Sequence, residues 1–431
     1  MSFNIEVEAG NSVRLPTAGK YCDRDIVVTA TGGGLIPVVE EKDVNFWDYD
    51  GTLLYSYTLD EVQEMTELPP LPTQPRLICQ GWNWSLERLK EQGYADVGAV
   101  YITDDGKTRL IVEITDLLVP VVYLNWQGAT VNIDWGDGSA VETSVKAGIH
   151  QHEYASVGEY EITLEVVSGQ LTVGANTSSN SWLVGNERNA ERNKLKRLYF
   201  GSGLATRIPN YGFQNAAFLE VITIPEGVTH IGASSFLGCM SLSSFVFPKS
   251  VVTTEAMFNQ CRRLSIVSLP ERITTLGRLF QYCSMLKRVR VPDTVTSIAV
   301  QCFQESAIED MRLPNMLSVI KSQCMQGATK LVKLEIPDSV TTIGSSVVYN
   351  CTSLVTLEIP SGVQTIGASA FYNCVSLMRL RFLPTTPPTV ANANAFTGIP
   401  TDCIVEVPAE SLEAYQNATN YAAIAAQMVG V

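Results

Sequence analysis

Apolar positions in the second half of the chain recur as one phrase of 22 or 23 residues. Leu219 opens LEVITIPEGVTHIGASSFLGCMSL, Leu331 opens LVKLEIPDSVTTIGSSVVYNCTSL, and Leu354 opens LVTLEIPSGVQTIGASAFYNCVSL. Prolines mark the beat at Pro225, Pro248, Pro270, Pro292, Pro314, Pro337 and Pro360. Weaker copies start at Leu242, Leu264, Leu286 and Ile308, and LKRLYFGSGLATRIPNYGFQNAAFL from Leu195 reads as a truncated first coil. A fixed period of this length predicts a solenoid, here of about eight coils over residues 195–383.

Within one unit, Ile222 and Ile224 alternate with polar neighbours, which predicts a short strand. The proline then blocks strand continuation and starts a turn. Val228 and Ile231 point back inward, the Gly232 slot allows the bend, and Phe236 fills the middle of the coil. One unit cannot bury this stripe alone, so neighbours must stack; at about 4.8 Å per strand, eight coils make a slab about 40 Å long. The aromatic slots Phe213, Phe236, Phe258, Phe280, Phe303 and Phe371 are expected in a single buried column. Three residues after the slot stand Cys239, Cys261, Cys283, Cys351 and Cys374, replaced elsewhere by Ala216, Ser306 and Ala328. That interchange asks for a small buried side chain and predicts free, quiet thiols. Same-sided stacking gives poor disulfide geometry, and with no CxxC in the chain a zinc site is not expected.

The phrase L-x-x-I-x-I-P…V-x-x-I-G-x-x-A-F-x-x-C-x-x-L resembles the BspA-like class of leucine-rich repeats. The resemblance implies adhesion and surface recognition rather than catalysis. CIVEVPAESLEAYQNATNYAAI, from Cys403, is similar to that family's terminal cap, a strand then a helical turn over the last core face. The cap is assigned to residues 384–431.

The first half is built from shorter patterns. Residues 117–168 alternate as strands around Trp135-Gly136-Asp137-Gly138, His152-Glu153-Tyr154 and Gly158-x-Tyr160. These marks resemble a PKD-type immunoglobulin-like β-sandwich, in a unit so short that an edge strand is missing or replaced. Asp134 and Asp137 are expected to cap the turn. His150 and His152 sit two apart on a strand but lack a third ligand, so no metal is expected.

Residues 34–116 read as a small α+β module. It has a hairpin turn at Asp50-Gly51, a helix from Asp60 to Met65, a second hairpin turn in TDDGKT, and aromatic packing with Trp82 and Trp84. Its FWDYDGTLL resembles the nucleophile motif of haloacid-dehalogenase-like phosphatases, which would require Asp48 to attack phosphorus and Asp50 to act as acid and base. The surrounding sequence is too short and too polar for that fold, so a structural hairpin is expected. The phrase also resembles a small module found beside BspA-like repeats in gut-bacterial and prophage proteins. Residues 1–33, with PTAGKYCDRDIVVTATGGG, resemble the β-rich opening segment of tail-associated proteins from phages of Gram-positive bacteria. That implies a docking segment on a glycine joint. Residues 169–194 read as a linker. The expected class is mainly β, a modular chain of small β-rich domains followed by the solenoid and its cap.

Composition narrows the function. With 44 acidic against 30 basic side chains the net charge is −14, which disfavours nucleic acid as a partner. The charge is uneven: residues 1–190 carry 28 acids and 11 bases, and the remainder 16 and 19. No run reaches the length of a transmembrane helix, so membrane insertion is not expected. Three histidines leave the commonest general base and metal ligand scarce, so neither enzyme activity nor a cofactor is expected. The opening residues lack a basic start and an apolar run, so ordinary secretion is not expected either.

The reading is a non-enzymatic virion protein of a phage or prophage, a tail or baseplate fibre. Its N-terminal segment would join other virion structural proteins, its solenoid would meet a host cell-surface polymer or protein, and a homo-oligomer such as a trimer is compatible with the layout. The alternatives are a bacterial BspA-like surface adhesin, which would be extracellular or at the cell surface, and a capsid decoration protein. Two outward columns locate the binding surface. Two before the proline stand Thr223, Val246, Ser268, Arg290, Arg312, Glu335 and Glu358; four before it stand Val221, Ser244, Ile266, Arg288, Asp310, Lys333 and Thr356. Ligand contacts are expected from Arg288, Arg290, Arg312, Lys333, Glu335 and Glu358. The three arginines would form a basic island suited to phosphate or carboxylate.

Overall fold

The computed structural model describes residues 42–117, 121–173 and 194–431. The docking segment expected at 1–33 lies outside the described residues, as does most of the linker, 174–193. No helix among the described residues is long and apolar enough to cross a membrane.

The small module follows from its own turns and caps. Strand β1 (Val44–Trp47) turns at Asp50-Gly51 into β2 (Leu53–Tyr57), as the sequence predicts. Helix α1 (Leu59–Glu64) opens on a capping box between Thr58 and Glu61, which satisfies two orphan N–H groups. After β3 (Leu77–Trp82) comes α2 (Leu86–Gln92), stopped at Gly93 with φ 65°. Strand β4 (Ala95–Thr103) completes a four-stranded sheet in the order β2-β1-β4-β3. Phe46 and Trp82 meet edge to face at 4.9 Å over Val62, Leu89 and Val97. Trp84 belongs to this core, as expected, while its Nε1 reaches the solenoid.

The boundary expected at residue 116 does not separate two sheets. The Asp105-Gly106 turn is present, but the strands it joins part company. Strand β5 (Thr108–Ile114) leaves β4 and pairs with β9 (Gly158–Val173). Together with β6 (Val121–Asp134), β7 (Glu142–Val145) and β8 (Gly148–Glu153), these form a curled sheet around Trp126, Trp135 and Tyr154. The unit of residues 117–168 is short because β5 comes from ahead of it. The solenoid's first strand, β10 (Leu195–Tyr199), then adds antiparallel to β5 and parallel to Val221–Thr223. One seven-stranded sheet thus runs from the first half into the repeats.

The solenoid has about ten turns rather than eight. The additional strands come from the segment read as a cap. Arg379–Phe382 pairs in parallel with Ile404–Val407, which pairs with Met428–Gly430. Between the last two of these strands in the chain, Tyr415 and Tyr421, fully buried, pack on Phe382 and Phe396 and close the core there. The aromatic column forms as expected. Phe213, Phe236, Phe258, Phe280 and Phe303 stack at 5.4, 5.5, 6.1 and 5.4 Å. Met325 and Val348 take the next two places, and Phe371 resumes the stack on Phe396 at 5.7 Å.

The turn that carries each slot needs backbone on the left-handed side. Asn350 and Asn373, two after the slot, have φ 58° and 59°, which is why Asn or Gly recurs there. The cysteines do more than fit. The thiols of Cys239, Cys261 and Cys283 donate to the carbonyls of Phe213, Phe236 and Phe258 in the preceding coil, at 3.2, 3.1 and 3.2 Å. Burial pushes all of these thiols well above their ordinary pKa.

Candidate binding face

In a solenoid, alternate residues of each strand before the proline face outward, so the outward columns should lie in water. Over the early coils they do not. The 42–103 module lies across the sheet face there, and Val246, Ser244 and Ser268 are buried beneath it. The fit is close: a Cβ on Gly98 would stand 2.4 Å from Val246 Cγ1 and 3.0 Å from Ser268 Cβ. Glycine is therefore required by space at this point.

The segment Gly81-Trp82-Asn83-Trp84-Ser85 makes several of the polar contacts. Asn83 Nδ2 donates to the Phe247 carbonyl and to Ser268 Oγ, both at 2.9 Å, while its Oδ1 accepts from Gly98 N at 2.8 Å. Trp84 Nε1 donates to the Leu269 carbonyl at 2.8 Å. Ser85 donates through both N–H and hydroxyl to Glu271 Oε2, each at 2.7 Å.

Arg290 overturns part of the expected basic island. Its guanidinium is only 3% exposed and donates to the carbonyls of Lys42 (2.5 Å), Asp43 and Ala95 (2.9 Å). Asp96 faces its Nε at 3.6 Å, and the ring of Tyr94 lies 4.6 Å away. Outward alternation placed it correctly on the sheet face; the cover over that face is what removes it from solvent. Arg312 also lies over Tyr94, at 5.6 Å, and pairs with Asp293 at 3.6 Å. Burial pushes the Tyr94 hydroxyl up to about 12, against the opposing charge of Arg290. Arg288 is half-buried and lines a depression with Trp47, Asp96 and Asp310 at the edge of the module. The three arginines are thus not an open anion site.

The later coils are uncovered. Lys333, Glu335 and Glu358 lie exposed around a shallow depression of about 450 Å³. Lys333 pairs with Glu335 at 2.6 Å and Glu358 with Arg381 at 3.3 Å; Arg379 and Arg381 meet Glu406 at 2.7 and 3.6 Å. Arg379, Arg381 and Glu406 were absent from the sequence-predicted set. The signal existed: RLRFL (Arg379–Leu383) aligns with KLEIP (Lys333–Pro337), but Leu383 stands in the proline position and breaks the visible pattern.

Other candidate chemistry is spent on structure. Asp48 is 1% exposed and accepts from Tyr49 N (2.8 Å) and Gln74 Nε2 (2.5 Å). Asp134 and Asp137 accept from Gly136 N and Ser139 N, closing the expected turns. His152 reaches Asp137 Oδ2 at 2.7 Å, whereas His150 contacts the Lys146 carbonyl. Among the described residues no three His, Cys, Asp or Glu side chains gather as a metal site.

The match to a known family lies in the repeat. No curated protein matches the chain. Among solved structures, a leucine-rich repeat protein from Bacteroides ovatus shares 19% identity over 62% of this chain and 95% of its own, with a TM-score of 0.25. A leucine rich cell surface protein from Faecalibacterium prausnitzii shares 18% over 54% and 90%, also at 0.25. The leucine-rich repeat protein of T. pallidum shares 23% over 36% and 62%, again at 0.25. The family model described as BspA type Leucine rich repeat region matches six copies, over residues 206–331 and 277–401. Residues 206–401 are therefore a run of BspA-type leucine-rich repeats.

Proposed function

We propose that this is a non-enzymatic recognition protein that binds its target through the open half of the solenoid's sheet face. Repeats of this type are generally binding or adhesion modules. The observation that carries the reading is the contrast on that face: one half is filled by the chain's own module, and the other displays Lys333, Glu335, Glu358, Arg379 and Arg381 to solvent. We place the protein on a phage or prophage particle, at the tail or baseplate, joined to other virion proteins through residues 1–33. Support for that placement is the likeness of PTAGKYCDRDIVVTATGGG to tail-associated proteins. A cell-surface adhesin is the second reading, favoured by the repeat family, whose members are often extracellular.

Two experiments test this. Fluorescent full-length protein should bind cells of the bacterium that carries or hosts the gene, and Glu335→Lys with Glu358→Lys should lower that binding at least about tenfold, the effect of losing about 1.4 kcal/mol. Unchanged binding would move the recognition surface elsewhere. Mass spectrometry of purified particles and of surface-labelled cells should find the protein in the particles; recovery from the cell surface alone would favour the adhesin.

A further inference from the structure

The prolines that pace the solenoid leave a second mark on its face. In a parallel ladder a residue donates its N–H to the residue before its partner, and its carbonyl accepts from the residue after that partner. Phe247 donates to the Ser268 carbonyl and Leu313 to that of Glu335, both at 3.1 Å, in this pattern. The residue that should answer the Phe247 carbonyl is Pro270. For Leu269 it is Pro292, for Leu313 Pro337, and for Ile336 Pro360. Proline has no N–H to give. The last coil is the control: Leu383 replaces the proline, and its N–H reaches the Ile359 carbonyl at 3.0 Å. The repeat thus builds a column of carbonyl acceptors that its own backbone does not answer.

In the covered half, side chains answer two of them. Asn83 Nδ2 takes the Phe247 carbonyl and Trp84 Nε1 takes that of Leu269. The molecule therefore contains one worked example of what its sheet face accepts: a polypeptide segment with side-chain N–H donors and a glycine that permits close approach.

The open half continues the same face. Ile336 is half-buried and lines the depression beside Lys333, Glu335 and Glu358. Lys333, Arg379 and Arg381 stand against Glu335, Glu358 and Glu406 in mutual pairs, so the charge cancels and a polyanion gains little there. Val332 and Met378 flank the face at 47% and 68% exposure and form an apolar rim.

We propose that the open half binds a protein segment of mixed charge, seated by a side-chain amide or indole N–H on the Ile336 carbonyl. The proposal rests on the recognition reading above and narrows its partner from polymer or protein to protein.

The test presents the full chain with a bead-displayed library of random short peptides and, separately, with an array of bacterial surface polysaccharides. Selected peptides should be rich in Asn, Gln or Trp. Their affinity should fall about tenfold in Pro360→Ala, where a new backbone N–H answers Ile336 while every outward side chain stays the same, and also in Glu358→Lys. Thermal melting checks that both variants fold; if Pro360→Ala does not, replacing the selected Asn, Gln or Trp of the peptide by Leu should cost the same tenfold, and no loss would overturn the carbonyl seat. Peptides sensitive to Glu358→Lys but not to a folded Pro360→Ala would overturn the carbonyl seat. Polysaccharide binding alone, lost in Glu358→Lys, would overturn the protein partner and keep the recognition face. Binding in neither arm that responds to Glu358→Lys would overturn both.

Discussion

The covered and open halves of the sheet face are built from the same repeat yet differ in nearly every outward detail. Beneath the module the prolines from Pro248 to Pro314 are 22 residues apart; from Pro314 to Pro360 they are 23 apart. In the covered half Ser244–Val246 and Ile266–Ser268 pair as an isolated two-stranded ladder, whereas from Asp310 onward six strands run in one sheet. The core column under the cover is an unbroken stack of phenylalanines, and under the open half it includes Met325 and Val348. Outward side chains deepest under the cover are small, Ser244, Val246 and Ser268, while Ile266 and Arg288 lie at its edge and Arg290 is consumed by the cover itself. Where water is the neighbour they are long and charged. The repeat sets the inward residues, and what lies on top sets the outward ones.

The largest expected effect lies in the core behind this contrast. Phe258, fully buried between Phe236 and Phe280, should cost about 3–5 kcal/mol as Phe258→Ala. Val348→Ala, at the same place in an open coil, removes fewer atoms and should cost less in the same denaturant titration. Equal costs would mean that the two columns are packed alike.

Arginine separates the halves more sharply. Arg290→Ala removes a buried donor from the carbonyls of Lys42, Asp43 and Ala95 and the buried counter-charge of Asp96, a loss of about 3–5 kcal/mol. Hydrogen exchange should then rise across β1 and β4. Arg381→Ala, which removes an exposed pair, should change stability by about 0–1 kcal/mol.

Gly98→Ala should destabilise by about 1–3 kcal/mol through overpacking on Val246. Val246→Ala should recover part of that loss, and strict additivity of the two would show that they do not touch.

The smallest effect lies outside both halves. Hydrogen bonds from Ser139 and His152 hold the Asp137 carboxyl below the ordinary carboxylate range. A lowered folded-state value stabilises the fold above the unfolded pKa, and that contribution is lost as pH falls through the lowered value. Asp137→Asn should therefore flatten the acid limb of a stability profile while leaving the pH dependence near neutrality unchanged.

The repeat was legible because stacking forces inward positions to be apolar at a fixed period, and the chain states that period many times. The thiols' burial was legible from their exchange with alanine and serine, although their hydrogen bonds to the preceding coil were not. The cover was illegible for a different reason. Asn83 and Trp84 meet carbonyls more than 150 residues away, and a backbone acceptor leaves no trace in a side-chain pattern. Alternation could place Arg290 on the outward face, but it cannot tell water from a second layer of protein. The boundary at residue 116 failed similarly, since β5 has the same alternating pattern whichever sheet it joins.

The junction at β10 has a consequence for how such a chain can change its length. The first edge of the solenoid is sealed by an antiparallel strand from another part of the chain, so it offers no template for a further copy to stack on. The module touches residues from Glu226 to Arg312 and fixes the coils beneath it. Only coils from Lys333 to Phe382 are free of both constraints. Duplication or excision of one 23-residue unit there would leave the seal, the clamp and the closing tyrosines unchanged, so the reach of the open face is the dimension in which this architecture can evolve.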